Sequence, residues 1–254
     1  MKAPITKIID ISFVDGPGSR TAIFFQGCNL DCLYCHNPET KTFCNACDYC
    51  NKKYIKSSVH SVGSYEAFCM GVSELVEKIK QNQDFIEGIT LSGGECTLYA
   101  PFVLELLRII KEETALTTML DTNALFSEEF IEPFCAVTDG FLVDLKAFDS
   151  NTHIKLTGKD NKQILRNITK IASKKLLQEV RTVLVEGFND TEEEILKISN
   201  FLHKIGFDRP ARLIPFRPHG VTSFLKNYSE FDKTKFEELQ AFQNKAIINK
   251  EIKL

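Results

Sequence analysis

Cys28, Cys32 and Cys35 fall within the run GCNLDCLYCHNP at residues 27–38, in the spacing Cys-x3-Cys-x2-Cys. A closed metal site takes four ligands, and no fourth cysteine completes this run at short range. Catalytic zinc sites stop one protein ligand short of closure so that substrate can bind. A [4Fe-4S] cluster, normally held by four thiolates, would by the same logic keep one iron open to a chelating ligand. The competing readings are a zinc site or structural thiols. A second triplet, Cys44, Cys47 and Cys50 in CNACDYC, has Cys-x2-Cys-x2-Cys spacing. Tyr54 stands where a ferredoxin run would have its fourth cysteine, so Cys69 would have to fold back as that ligand. A second [4Fe-4S] cluster is the preferred reading there, with a zinc site that could use His60 as the competitor and loose thiols third.

The elements that must position these groups alternate. RTAIFFQG reads as a strand running into the cysteine loop, and GITLSGGE as a short apolar strand broken by glycines. The next helix has Pro101 in its first turn and Phe102, Val103, Leu106, Leu107 and Ile110 on one face. LTTMLDTNA, GFLVDLKAF, LQEVRTVLVEGFND and ARLIPF are further strands with the turns that follow them. Asp190 caps the helix after the third of these, with Glu193 three residues on and Ile195, Ile198, Leu202 and Ile205 as the buried face. A last helix spans about residues 233–249. Six strands with helices between them imply right-handed crossovers and a parallel sheet. The expected fold is therefore α/β, a partial parallel (β/α)6 barrel over residues 1–254 with a short cysteine-rich insertion at residues 39–70. In such a barrel, functional residues gather on the loops after the strands. The cysteine loop and residues 92–95, 121–123, 144–146 and 217–220 all follow strands.

Composition narrows the classes. Hydrophobic residues make up 43% of the 254, enough for a sizeable core, and the formal net charge is -3. That charge gives no electrostatic reason to expect nucleic acid or an anionic membrane as partner. No stretch approaches the roughly 20 apolar residues of a membrane span, and residues 1–10 lack an apolar signal core. Six of nine cysteines cluster within residues 28–50, which in a cytoplasmic protein points to metal rather than disulfides. A cytoplasmic monomer is expected.

The Cys-x3-Cys-x2-Cys run, with SGGE at residues 92–95 following a strand, resembles the radical SAM superfamily. DGPGSR at residues 15–20, CHNP at 35–38, LDTNA, DLK and VRTVLVEGFND appear in order along nearly the whole chain. Together they are similar to the glycyl-radical-enzyme activases, the family of pyruvate formate-lyase-activating enzyme. The short insert and FRPHGV look most like the YjjW-type branch. The resemblance implies a [4Fe-4S] cluster on Cys28, Cys32 and Cys35 whose open iron is chelated by S-adenosylmethionine. Reductive cleavage would then give a 5′-deoxyadenosyl radical that takes hydrogen from a backbone glycine of a partner enzyme. The implied cofactor contacts are Tyr34, flat against adenine, His36, Gly94 and Glu95 of SGGE, Asp121, Asn123, Asp144 and Lys146. Lys146 would face the cofactor carboxylate, and a monovalent cation would offset Asp121 against Asp144. Ordinary polar strand-end roles stay open for Asp121, Asn123 and Arg181. DGPG is either a tight turn or part of the surface near the incoming glycyl loop. A flavodoxin- or ferredoxin-like donor would supply the electron.

Two departures stand out. Ala124 takes the place of the family's glycine after DTN, so that turn is expected to differ. Arg217 stands where a histidine is expected, leaving His219 as the candidate ribose contact. The alternatives are a radical SAM enzyme acting on a small molecule, such as a deazapurine precursor, and a non-catalytic iron–sulfur electron carrier. The carrier needs neither an open iron nor SGGE.

Overall fold

The computed structural model describes residues 1–42 and 67–248. Of the second cysteine group, Cys44, Cys47 and Cys50 lie outside the described residues, as do His60 and most of the expected 39–70 insertion. The chain forms two compact units. The first comprises Met1–Asn29, Glu39–Thr122 and Phe126–Leu142, and the second Leu30–Pro38, Asn123–Leu125 and Val143–Leu254.

The first unit is built on β1 (Lys2–Ser12), β2 (Arg20–Phe25), β3 (Phe68–Gly71), β4 (Gly88–Gly93), β5 (Thr117–Thr122) and the start of β6 (Gly140–Asp144), in the order β3-β1-β2-β4-β5-β6. β2, β4 and β5 run parallel, as the βα alternation requires. β1 is antiparallel to both β2 and β3. These two strands go beyond the six expected. Residues 2–12 mix polar and apolar side chains without the continuous apolar run of a doubly buried strand, and their burial is correspondingly uneven. Helices α1 (Val72–Gln81), α2 (Ala100–Glu113) and α3 (Ile131–Val137) complete the unit. Phe102, Val103, Leu106, Leu107 and Ile110 are all buried, the face the periodicity predicts.

The DGPG loop enters β2 at the end opposite Cys28. Arg20, fully buried, pins it there. Its guanidinium donates to Pro17 O (3.1 Å), Thr90 Oγ1 (2.8 Å), Ile89 O (2.6 Å), Thr117 Oγ1 (3.0 Å) and Thr117 O (3.0 Å). The first turns of β4 and β5 are thus tied to the loop by one side chain. Burial lowers the Arg20 pKa to about 10, with Asp139 and Glu87 opposing.

The second unit holds the end of β6, then β7 (Leu177–Leu184) and β8 (Arg212–Pro215) in that order, with β7 parallel to β8. Its helices are α4 (Ser150–Thr157), α5 (Lys162–Ser173), α6 (Glu192–Lys204) and α7 (Lys233–Ile248). Tyr34, Leu156, Leu184, Val185, Ile195, Leu213, Phe216 and Leu239 share its core. The α6 cap is displaced by one residue from the expected Asp190. Thr191 accepts from Glu194 N, while the Asp190 carboxylate takes Gly187 N (2.9 Å) and the Lys235 ammonium instead. Both units are thus α/β with parallel strands in an open sheet, the architecture expected of a partial barrel. Among the described residues no helix is long and apolar enough to cross a membrane.

Candidate active site

In the first unit, β2 delivers the chain to Cys28, which is partly exposed and carries a thiol rather than a disulfide. Gly27 has φ 96°, a conformation that favours glycine. Its N–H donates to Thr40 O (2.7 Å), and Cys28 N–H donates to Lys41 O (3.1 Å). Gln26 Nε2 donates to Glu39 O (2.8 Å) and Thr42 O (2.7 Å). The chain on either side of the cysteine run is therefore stitched together at the first residues of the expected insertion.

The glycines of SGGE serve this junction. Gly94 N–H donates to Phe25 O and Glu95 N–H to Gly27 O (2.9 and 2.8 Å). A Cβ on Gly94 would lie 2.2 Å from Gly27 O, and one on Gly93 would lie 2.1 Å from Phe25 N. The room a side chain would need is taken by the backbone leading into Cys28. Glu95 is buried, and its Oε1 accepts from Thr97 N (3.1 Å), Thr97 Oγ1 (2.6 Å) and Thr122 Oγ1 (2.7 Å). Through these bonds its side chain holds the chain after β4 to the end of β5, a role the expectation of cofactor contact leaves out. Ser92 Oγ donates to Asp121 Oδ2 at 2.9 Å.

In the second unit, the remainder of the cysteine run lies along α4. The last carbonyls of a helix have no partner within it. Here Leu156 O and Thr157 O accept from Leu33 N and Asp31 N, both at 2.9 Å. Gly158 closes the helix at φ 77°. Cys32 is buried and Cys35 partly exposed, and both are thiols. Tyr34 is buried in the core of this unit, and the Lys146 ammonium sits 5.7 Å from its ring centroid, within cation–π range.

Lys146 Nζ reaches Asp144 Oδ2 at 2.8 Å, and Arg181 Nε reaches Asp144 Oδ1 at 2.9 Å. Burial alone would raise the Asp144 pKa, but Arg181 and Lys146 outweigh it and hold the carboxyl down at about 2. Burial alone would lower the Lys146 pKa, but Asp144 first, then Tyr34 and Cys32, keep it well above the ordinary lysine value. The Asp144 charge is thus offset by these two side chains.

Asn123 Oδ1 accepts from Leu125 N at 2.8 Å, closing a local turn. Ala124 keeps the left-handed conformation at φ 59°. A left-handed backbone at an alanine costs roughly 1–2 kcal/mol relative to glycine. Asn167 of α5 helps hold it, donating to Ala124 O at 2.8 Å. His36 lies beside the loop after β8. A Cβ on Gly220 would meet His36 O at 2.5 Å. Burial, then the charges of His219, Arg217 and Lys146, lower the His36 pKa against a hydrogen bond to the Arg217 backbone. Arg217 and His219, the two residues left open by the sequence, both carry charge that bears on His36, and both are exposed. Cys69, the fourth ligand proposed for the second group, lies in β3 opposite Pro4.

The donors suit the cofactors. Three thiols at this spacing match iron–sulfur ligation with one position unfilled. The Lys146 ammonium near Cys32 suits a carboxylate such as that of S-adenosylmethionine. Sequence reasoning missed Thr182, Asn161, Asn189 and Glu194, buried polar residues that hold the chain after β6. Their only sequence signal is a turn-forming type in the case of the asparagines.

The profile of the Radical SAM superfamily matches residues 22–202. The pyruvate formate-lyase-activating enzyme of Staphylococcus aureus (strain USA300) is 32% identical across 87% of this chain and 84% of its own. Streptococcus suis SuiB bound to precursor peptide SuiA matches 89% of this chain with a TM-score of 0.65 at 17% identity, and this chain spans 45% of SuiB. A domain of pyruvate-formate lyase-activating enzyme from Bacteroides vulgatus ATCC 8482 gives a TM-score of 0.50 at 22% identity, over 62% of this chain and 92% of that domain. At such identities the two structures bear on the fold alone.

Proposed function

The chain belongs to the radical SAM superfamily and, within it, to the family of the pyruvate formate-lyase-activating enzymes, and from this we infer that it activates a glycyl radical enzyme. The observation that carries the reading is the near full-length identity to an activase, joined to a three-thiol loop. When bound, the [4Fe-4S] cluster and S-adenosylmethionine supply a 5′-deoxyadenosyl radical, and the hydrogen it takes comes from a glycine Cα of the partner.

The chain's own residues bind and orient. Cys28, Cys32 and Cys35 hold the cluster as thiolates. Lys146 presents its ammonium to the cofactor carboxylate, and Asp144 with Arg181 fixes where that ammonium sits. Tyr34 and His36 line the adenosyl end, with His219 or Arg217 at the ribose. Gly94 and Glu95 hold the end of β4 against the entry to the cysteine loop, and Asp121 and Asn123 shape the neighbouring strand end. A glycine suits a protein substrate because no side chain blocks its Cα–H, and its radical is stabilised between amide and carbonyl. The partner must expose that glycine, so docking involves local opening of the partner. We read the enzyme as a cytoplasmic monomer reduced by a flavodoxin- or ferredoxin-like donor. Cys44, Cys47, Cys50 and Cys69 would hold an auxiliary cluster or zinc.

The test is anaerobic incubation of the reconstituted enzyme with a glycyl radical enzyme deuterated at its target glycine. Deuterium should appear in 5′-deoxyadenosine, and an organic radical should persist on the partner by electron paramagnetic resonance. Cys32→Ala should abolish both. Stoichiometric conversion of a small metabolite, with no deuterium transfer from any glycyl radical enzyme offered, would replace this reading with a small-molecule one.

A further inference from the structure

Beyond Asp144 the chain leaves the sheet ladder, and its backbone polar groups need partners of another kind. They find them in one neighbouring backbone carbonyl and in buried side chains of the same unit. Leu145 N donates to Arg181 O (2.9 Å), and Leu145 O accepts from Thr182 Oγ1 (2.8 Å). Lys146 O accepts from Asn189 Nδ2 (2.9 Å). Ala147 O and Phe148 O accept from Asn161 Nδ2 (2.9 and 2.7 Å). Phe148 N and Asp149 N donate to the Glu194 carboxylate. Thr182, Asn161 and Asn189 are fully or almost fully buried.

Asn189 stands out among these. Its Oδ1 accepts from Val185 N (2.8 Å), while its Nδ2 donates both to Val183 O (2.8 Å) and to Lys146 O. One amide therefore joins the turn after β7 to the backbone of Lys146 itself. The lysine's other end is equally constrained, between Asp144 Oδ2 and the Tyr34 ring.

We propose that Asn189 is a positioning residue for Lys146, holding its backbone so that the ammonium meets the carboxylate of S-adenosylmethionine. The proposal rests on the assignment of Lys146 under the proposed function, and the test separates the two. Asn189 touches no cofactor and acts only through the Lys146 carbonyl. An asparagine is suited to this because it offers two donors and an acceptor in one plane, and here they span three backbone groups.

The test measures the dissociation constant of S-adenosylmethionine by equilibrium dialysis on the anaerobically reconstituted enzyme, for wild type, Lys146→Met, Asn189→Ala and the double variant. Asn189→Ala should weaken binding about tenfold, the scale on which supporting hydrogen bonds act on a bound group. In the Lys146→Met background the same change should have no further effect. Equal weakening in both backgrounds would make Asn189 merely structural and overturn the proposal, as would unchanged binding in Asn189→Ala. If Lys146→Met itself binds the cofactor as wild type does, the Lys146 assignment fails instead. Should Asn189→Ala not fold, Asn189→Ser decides. Its hydroxyl, one atom closer to the backbone than either end of the amide, is too short to reach Lys146 O but keeps a polar group at the turn. It should show the same loss of affinity, and wild-type affinity in this variant would overturn the proposal.

Discussion

Asp144 shows how one carboxylate can be fixed by two cations of its own chain. Its folded pKa, about 2, lies below the ordinary aspartate value near 4. The stability this contributes is therefore complete above about pH 4 and is lost as pH falls through the folded value. Asp144→Asn leaves Lys146 and Arg181 without their shared partner and should cost roughly 1–3 kcal/mol at pH 7, a figure reduced from the buried-pair scale because Asp144 is partly exposed. Urea unfolding from pH 7 to pH 3 should show a constant gap between wild type and variant down to about pH 4, narrowing below it. A gap that stays constant to pH 3 would refute the ion-pair account. Gly94 belongs to the same scale. Because an added Cβ would meet backbone at 2.2 Å, Gly94→Ala cannot be relieved by a side-chain rotation. It should destabilise by about 2 kcal/mol or more, read as a lower denaturant midpoint. Wild-type stability in that variant would mean the junction at Gly27 is looser than the geometry describes.

Among the elements, α6 gives the sharpest contrast between what spacing suggests and what packing selects. Asp190 has the residue type of a cap, but Gly187 N and Lys235 take its carboxylate, and Thr191 becomes the cap. Thr191→Ala should cost about 1 kcal/mol, whereas Glu193→Ala, exposed and paired with Lys197, should change stability by less than about 0.5 kcal/mol. Thermal unfolding of the two variants under one buffer decides the point, and the reverse order would restore Asp190 as the cap. At α4 the same principle acts across elements. The C-terminal carbonyls that a helix cannot satisfy internally are satisfied by the N–H groups of Asp31 and Leu33. The cysteine loop is thereby held by a helix end rather than by its own short sequence.

For the whole molecule, seven of the nine cysteines would divide into the proposed three-thiol set of Cys28, Cys32 and Cys35 and a proposed second group of Cys44, Cys47, Cys50 and Cys69, leaving Cys96 and Cys135 aside. If the groups are independent, the Cys28→Ala, Cys32→Ala, Cys35→Ala triple variant should keep metal while losing cleavage of S-adenosylmethionine. Iron and sulfide analysis after anaerobic reconstitution checks this. Iron with sulfide supports an auxiliary cluster, zinc alone makes the site structural, and no metal removes it.

Much of the chemistry was legible in the chain alone. Cluster ligation depends on cysteine spacing along a continuous loop, and spacing is a covalent property. The helix face from Phe102 to Ile110 was equally legible, because burial on one side imposes a period of 3.6. The strands that enter the site were readable as apolar runs, though β1 and β3 were not, since a strand of mixed polarity leaves no clean period. The tertiary structure alone decided which partner each polar group takes. Glu95 bonds to Thr97 and Thr122, Ala124 keeps a glycine-like turn under Asn167, and Asn189 reaches Lys146 across 43 residues. Such bonds depend on where distant backbone carbonyls come to rest after packing, and no local pattern of residue types encodes that position.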